Sequence, residues 1–257
     1  MADRDGMKSA YEAPALTKGL EILELLAESA EPLAMGEVAA ALGRSRNEIY
    51  RMLVVLERFG YLRRGGDDRF ELASRLFDIA MRVPPRRNLH DAAMPVMHQL
   101  AETLYQSCHL AVRSAGDMVV IARVESPGLL GFAVRLGYRR PIVASTSGRL
   151  LFAFLPQSAR AALRDELERE AANSSELAAF FSDCERILTK GYHIGPSAFV
   201  DAVTDLGAPV FDVETAGPVA GLVVPFVSGR SARCTVEEAM VEVRAAAARI
   251  SEYLRVG

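Results

Sequence analysis

Arg46, Asn47, Tyr50 and Arg51 are the residues of this chain whose types and spacing point most directly to chemistry. At 3.6 residues per turn they share one helical face near an N-terminus, and guanidinium, amide and phenol groups can read base edges and hold phosphates. Ser45 opens the segment. Its hydroxyl can accept from the amide of Glu48 while the Glu48 carboxylate reaches back to the amide of Ser45, a capping box. Arg63, Arg64 and Arg69 follow on two strand-like runs, 61–64 and 69–72, joined by the turn-forming Gly65-Gly66-Asp67-Asp68. Between residues 44 and 69 seven arginines face four acids, a local excess of three positive charges in a chain of net charge -3. The basic signal is local, as phosphate contact requires. An arginine-rich helix face is also an ordinary solvated surface, and a capping box punctuates any helix.

The elements that must position these groups are legible in the apolar spacing. Met35, Val38, Ala39 and Leu42 form one helical stripe, Gly43 allows a turn, and Ile49, Met52, Leu53, Leu56 and Phe59 form the buried face of the following helix. Helix, turn, capped helix and basic hairpin in that order predict a winged helix-turn-helix. A helix over 17–29 is apolar on more than one face, and a connecting helix over 74–83 ends at Pro84-Pro85, the predicted domain boundary.

The second half begins with helical residues 89–105, with a kink or a fresh start at Pro95. Strand-like runs at 108–114, 118–124, 129–135 and 140–144 precede helices near 147–155, 157–171 and 176–190. Strands near 192–195, 204–211 and 219–227 and a helix over 235–254 complete it. Ser145-Thr146-Ser147-Gly148 sits between a strand and a helix, where free amides favour an anion such as a carboxylate, or where Ser145 or Thr146 simply caps the helix. His193 lies between two glycines near that region, and His109 reads as a core imidazole.

The strings LEILELLAESAEPLAMGEVAAALGRSRNEIYRMLVVLERFGYLRRGGDDRFELA, RRPIVASTSGRLLFAFLP, KGYHIGP and LGAPVFDVETAGPVAGLVVPF, in this order, resemble the IclR family of bacterial transcriptional regulators. The resemblance covers nearly all of the chain beyond about residue 14. It implies an α+β protein of two domains, an N-terminal winged helix-turn-helix and a C-terminal effector-binding domain with a GAF-like or profilin-like mixed sheet and flanking helices. The segments would then be a disordered tail over 1–13, the DNA-binding domain over 14–73, a connecting helix and linker over 74–88, and the effector domain over 89–257. By the same resemblance, Thr146 and Ser147 align with effector-contacting positions. Leu129, Leu130, Phe132, Val134, Asp205, Val223 and Pro225 align with the pocket lining. Leu129 to Val134 could equally be sheet core, and Asp205 needs either solvent or a partner. The chain departs from the family's pattern at Glu48, Gly195 and Ala202, and at Val223 and Pro225, where small hydroxyl residues are usual. Those last two substitutions point away from small keto acids and toward an aromatic or branched carboxylate.

The expected partners are a pseudo-palindromic operator in double-stranded DNA, a small organic acid effector and a second copy of the chain, with a tetramer as the open alternative. An architectural DNA-binding protein without a ligand would carry more positive charge. HExxH, GxSxG, P-loop and GxGxxG strings are absent from the sequence, so neither an enzyme nor a cofactor is expected. Cys108, Cys184 and Cys234 form no CxxC pair, and no metal site is expected. No apolar run approaches the roughly 20 residues that span a bilayer, and Met1 to Lys8 lacks an apolar signal core, so a cytoplasmic protein with no membrane contact is the expectation.

Overall fold

The computed structural model describes residues 13–29, 31–80, 86–128, 131–170, 174–197, 200–212, 215, 217–229 and 232–256. The chain forms two compact units, Met1–Pro84 and Pro85–Gly257. Of the expected tail, residues 1–12 lie outside the described residues.

In the first unit, α1 (Pro14–Glu28) starts with proline in its first turn, where no intrahelical amide is needed. β1 (Leu33–Ala34) leads into α2 (Met35–Ala41), and Gly43, at φ +61, carries the chain into α3 (Arg46–Arg58). β2 (Leu62–Arg64) and β3 (Arg69–Leu72) form the wing, with β1 on the other side of β3 in a three-stranded antiparallel sheet. α4 (Arg75–Ala80) follows. Ile22, Leu26, Val38, Ala39, Ile49, Leu53, Leu62 and Phe70 make one small core. Phe59 departs from the expected buried face and is 58% exposed. The helix has ended at Arg58, and Phe59 is its cap before Gly60 at φ +77, so helical spacing no longer sets its direction.

The second unit is a three-layer sandwich around a six-stranded sheet. α5 (Arg86–Leu104) runs through Pro95 as one helix, so no fresh helix starts there. β4 (Cys108–Ser114) and β5 (Asp117–Val124) form a hairpin with Ala115 at φ 54. β6 (Arg139–Pro141) gives way to a 3₁₀ turn, Ile142–Ala144, and α6 (Thr146–Ala153), α7 (Gln157–Glu170) and α8 (Ser174–Lys190) follow. β7 (His193–Pro196), β8 (Val203–Phe211) and β9 (Pro218–Val227) precede α9 (Val236–Val256). The sheet order is β6-β5-β4-β9-β8-β7 and every ladder is antiparallel, so the sheet is not mixed. β4–β5, β7–β8 and β8–β9 are neighbours in sequence as well as in the sheet, and such short returns reverse strand direction.

Strand alternation divides the two faces. Leu110, Leu206, Ala208, Leu222 and Val224 pack with α5 and α9, while Val223 packs in a second core with α6 and α8. A bulge opposite Leu110 and Ala111 breaks the alternation of β5. Ala122 and Val124 face α5 and α9, whereas Met118 and Val120 pack with Ala111 and Leu151 on the α6 side.

Two expected strands change. Residues 131–135 are irregular, and the expected strand 140–144 is only Arg139–Pro141 before the 3₁₀ turn. Arg139–Pro141 pairs with Asp117–Val119 and so takes the β5 edge that a strand over 129–135 would have needed.

Candidate functional site

The first constellation sits on α3. Ile49 and Leu53 are fully buried, which turns Arg46, Asn47, Tyr50 and Arg51 outward. Arg46 and Arg51 make no ion pair among the described residues. Ser45 caps the helix as expected: its hydroxyl accepts from the Glu48 amide at 3.4 Å and donates to the Glu48 carboxylate at 2.7 Å. Lys18 on α1, which the sequence reading missed, lies 2.6 Å from the other carboxylate oxygen. Lys18 and both groups of Ser45 hold the Glu48 carboxyl down to about 2, so the acid on this face is internally compensated. Arg44 adds a second tie to α1 through Glu21 at 3.1 Å.

The wing arginines all have acid partners. Arg63 pairs with Glu71 at 2.9 Å, and Arg64 pairs with Asp68 at 3.5 Å while lying over the Phe70 ring. Such exposed pairs hold little net energy and can exchange for phosphate. Arg69 differs. It bonds the carbonyl of Pro32 and the carboxylate of Glu37, each at 2.9 Å, and pairs with Asp67 at 3.3 Å, strapping the wing to the start of α2.

The second constellation is a cavity between the sheet and the start of α6. Its polar side is Ser145, Thr146, Ser147 and Asp205, and its apolar side is Met118, Phe132, Val134, Val223 and Pro225, with His109 closing one wall. The space open to water centres is about 10 Å³, room for roughly one water molecule. α6 can approach the 3₁₀ turn closely because residue 148 is glycine: a Cβ there would stand 2.0 Å from the Ile142 carbonyl oxygen. Ser145 caps α6 by accepting from the Gly148 amide at 3.0 Å. The amides of Thr146 and Ser147, first in the helix, have no partner among the described residues.

Asp205 is buried and finds its partner in Thr146, whose hydroxyl donates to it at 2.9 Å, so solvent is not its answer. Burial pushes its carboxyl above the usual range, against hydrogen bonds from Thr146 and Ser197 that pull it down. Burial holds His109 down to about 4, and its Nδ1 is buried without a partner among the described residues. An orphaned polar atom of this kind costs about 1–3 kcal/mol.

Most of the expected pocket residues therefore converge. Leu129 and Leu130 lie outside the described residues. Phe132 and Val134 reach the cavity from an irregular segment rather than a strand. His193 does not line the cavity: its ring stands over Gly195, whose added Cβ would meet Nε2 at 2.7 Å. Burial, then Arg149 nearby, hold His193 down to about 4. The lack of a side chain at Gly195 is what makes room for this ring. His109, read from the sequence as a satisfied core imidazole rather than a binding group, lines the cavity with its Nδ1 unpartnered among the described residues, and Met118 was missed. Alternation along β4 was the available signal for His109, since Cys108 and Leu110 face the opposite side.

A basic, wing-flanked helix in one unit and a polar-capped cavity in the other define a two-domain transcriptional regulator with a helix-turn-helix and a ligand-binding domain. Residues 15–66 match the IclR helix-turn-helix domain, and residues 81–252 match the domain described as bacterial transcriptional regulator IclR C-terminal. The chain belongs to the IclR family. It is 29% identical over 153 residues to the probable transcriptional regulator SauR of Cupriavidus necator, a match spanning 59% of this chain and 61% of that one. It is 25% identical over 233 residues to the transcriptional repressor IclR of Escherichia coli, covering 87% of this chain and 82% of that one. Among solved structures, an IclR homolog from Microbacterium hydrocarbonoxydans, complexed with 4-hydroxybenzoate, superimposes with a TM-score of 0.80 at 20% identity. That match covers 95% of this chain and all of the other. No helix among the described residues is long and apolar enough to cross a membrane.

Proposed function

We propose that this regulator binds a pseudo-palindromic operator as a homodimer and that its effector is an aromatic carboxylate held in the α6 cavity. The observation that carries the effector reading is the junction of two unpartnered amides, those of Thr146 and Ser147, with an apolar surface made by Met118, Phe132, Val134, Val223 and Pro225. Amides at a helix start favour an anion. An apolar surface favours a ring by about 25 cal/mol for each Å² covered. The 4-hydroxybenzoate complex of the Microbacterium homolog supports the same ligand class.

Arg46, Asn47, Tyr50 and Arg51 contact bases and phosphates, Arg63 and Arg64 contact the backbone, and Arg69 keeps the wing in place. Leu16, Leu20, Phe77 and Ile79 leave apolar surface exposed on the N-terminal unit, where a second copy would cover it. A ring does not fit the cavity as it stands, so binding moves a wall. Residues 131–134 make no backbone hydrogen bond among the described residues, and they yield first. An effector that prefers the opened arrangement shifts the population toward it, and operator affinity changes through residues 74–88.

Calorimetry with benzoate, pyruvate and glyoxylate, in parallel with operator binding, tests the reading. Benzoate is expected to bind at least ten-fold tighter than either keto acid and to change operator affinity. Tighter binding of the keto acids would refute the aromatic assignment.

A further inference from the structure

The cavity has a second polar end that a carboxylate at α6 does not use. His109 lies on β4 directly opposite Val223 of β9, and Asp205 lies on β8 directly opposite Pro225 of β9. Neighbouring strands are about 4.8 Å apart and two residues along a strand span about 7 Å, so His109 and Asp205 stand roughly 12 Å apart with Val223 and Pro225 forming an apolar floor between them. The α6 amino terminus serves the β8–β9 side of this floor, since a Cβ on Gly207 would meet Thr146 at 3.3 Å and one on Gly221 would meet Ser147 at 3.6 Å. On the β4 side the polar group is His109 Nδ1, fully buried and unpartnered among the described residues. A ligand that spans the floor has an apolar middle and a polar group at each end.

The chemistry of the ring narrows the second group. Burial keeps the imidazole neutral at physiological pH, so Nδ1 is either a donor or an acceptor according to the tautomer. A hydroxyl both donates and accepts and satisfies either form, whereas a carboxylate only accepts. We propose that His109 Nδ1 receives a hydroxyl at the end of the effector opposite its carboxylate, which makes His109 the residue that selects hydroxylated over unsubstituted aromatic acids. This rests on the reading of the cavity as an aromatic-carboxylate site. An acid without the hydroxyl would bury Nδ1 under its ring and leave it orphaned, and sites built to bond a hydroxyl discriminate strongly against analogues that lack it.

The test is calorimetry of the full chain with 4-hydroxybenzoate and benzoate. The wild type is expected to prefer the hydroxylated acid by at least about ten-fold. His109→Asn, which keeps a hydrogen-bonding group at the δ position, retains most of that preference. His109→Phe abolishes it while leaving benzoate affinity within about three-fold. A nitrogen-15 NMR measurement on the wild type is independent of how the variants fold: the His109 Nδ1 resonance is expected to move with 4-hydroxybenzoate and much less with benzoate. Equal affinity of the wild type for both acids, an undiminished preference in folded His109→Phe, or identical Nδ1 shifts with the two ligands would overturn the assignment to His109 alone. Failure of both acids to bind would refute the aromatic-carboxylate reading itself, and the role of His109 with it.

Discussion

Substituting Gly148 by alanine tests the packing that creates the α6 amino terminus. The added Cβ would lie 2.0 Å from the Ile142 carbonyl oxygen and 2.6 Å from the Ile142 Cα, both backbone atoms that cannot rotate away. Restoring an ordinary contact requires the helix start to retreat by roughly 1.5 Å. Overpacking that side chains absorb costs typically 1–3 kcal/mol, and a clash against backbone belongs at the upper end, about 3 kcal/mol. For a unit of this size that lowers the melting temperature by roughly 6–12 °C. The same retreat pulls Thr146 away from Asp205 and breaks their 2.9 Å hydrogen bond. Gly221→Ala is the matched control, because its Cβ meets only Leu150 and Ser147, at 3.5 and 3.6 Å, which is ordinary contact. Thermal melts of the two variants decide the matter. A Gly148→Ala midpoint within about 2 °C of the wild type, or equal losses in both variants, would refute the close-approach reasoning.

Acid sensitivity follows from His109, whose pKa burial lowers from 6.5 to about 4. Above pH 6.5 the ring is neutral in both states. As pH falls toward 4 only the unfolded chain gains the proton, so stability is lost over that window, by about 3 kcal/mol in all. Urea titrations of wild type and His109→Asn should therefore converge, or cross in favour of the variant, as pH falls from 7 to 4.5; a constant gap would contradict the buried neutral imidazole. Lys18→Met should weaken operator binding roughly five-fold by releasing the Glu48 carboxylate toward phosphate, and adding Glu48→Gln should restore it. No rescue in the double variant would mean that Lys18 acts in some other way. Arg51→Ala should reduce the salt slope of operator binding by about one, and Arg64→Ala by less, because Arg64 leaves Asp68 behind to gather a cation. Equal slopes for the two variants would show that the Arg64 pair does not persist in solution.

The helix pair and wing were legible because their signals are local: Ser45 and Glu48 are three residues apart, and the Gly65–Asp68 turn separates short strands. Lys18 was not, since its partner Glu48 lies 30 residues away. β1 escaped because two residues carry no alternation to read. In the second unit the strands that fill the sheet centre, β4, β8 and β9, were placed within about a residue by continuous apolar runs. The segment 131–135 has a similar composition, but an edge accepts only one neighbour, and Arg139–Pro141 already pairs with β5. Thr146, Ser147, Asp205, Val223 and Pro225 gather at one cavity as the family resemblance implied. Alternation along β4 sets which face His109 takes, but that Val223 and Pro225 lie beside it follows from the β4–β9 register, a long-range pairing.

The bulge in β5 lets the strand carry one extra residue without changing which side chains face the cavity. Ile121 is that residue, between Ala122, which pairs with Leu110, and Val120, which pairs with Ala111. Deleting it would restore strict alternation and leave Val120 opposite Ala111, Val119 opposite Val112 and Met118 opposite Arg113, so Met118 would still line the cavity. The strand can therefore change in length at this one point while its ligand-facing wall stays the same. An alignment that places the gap of a shorter relative anywhere else in the strand would assign the wrong side chain to that wall.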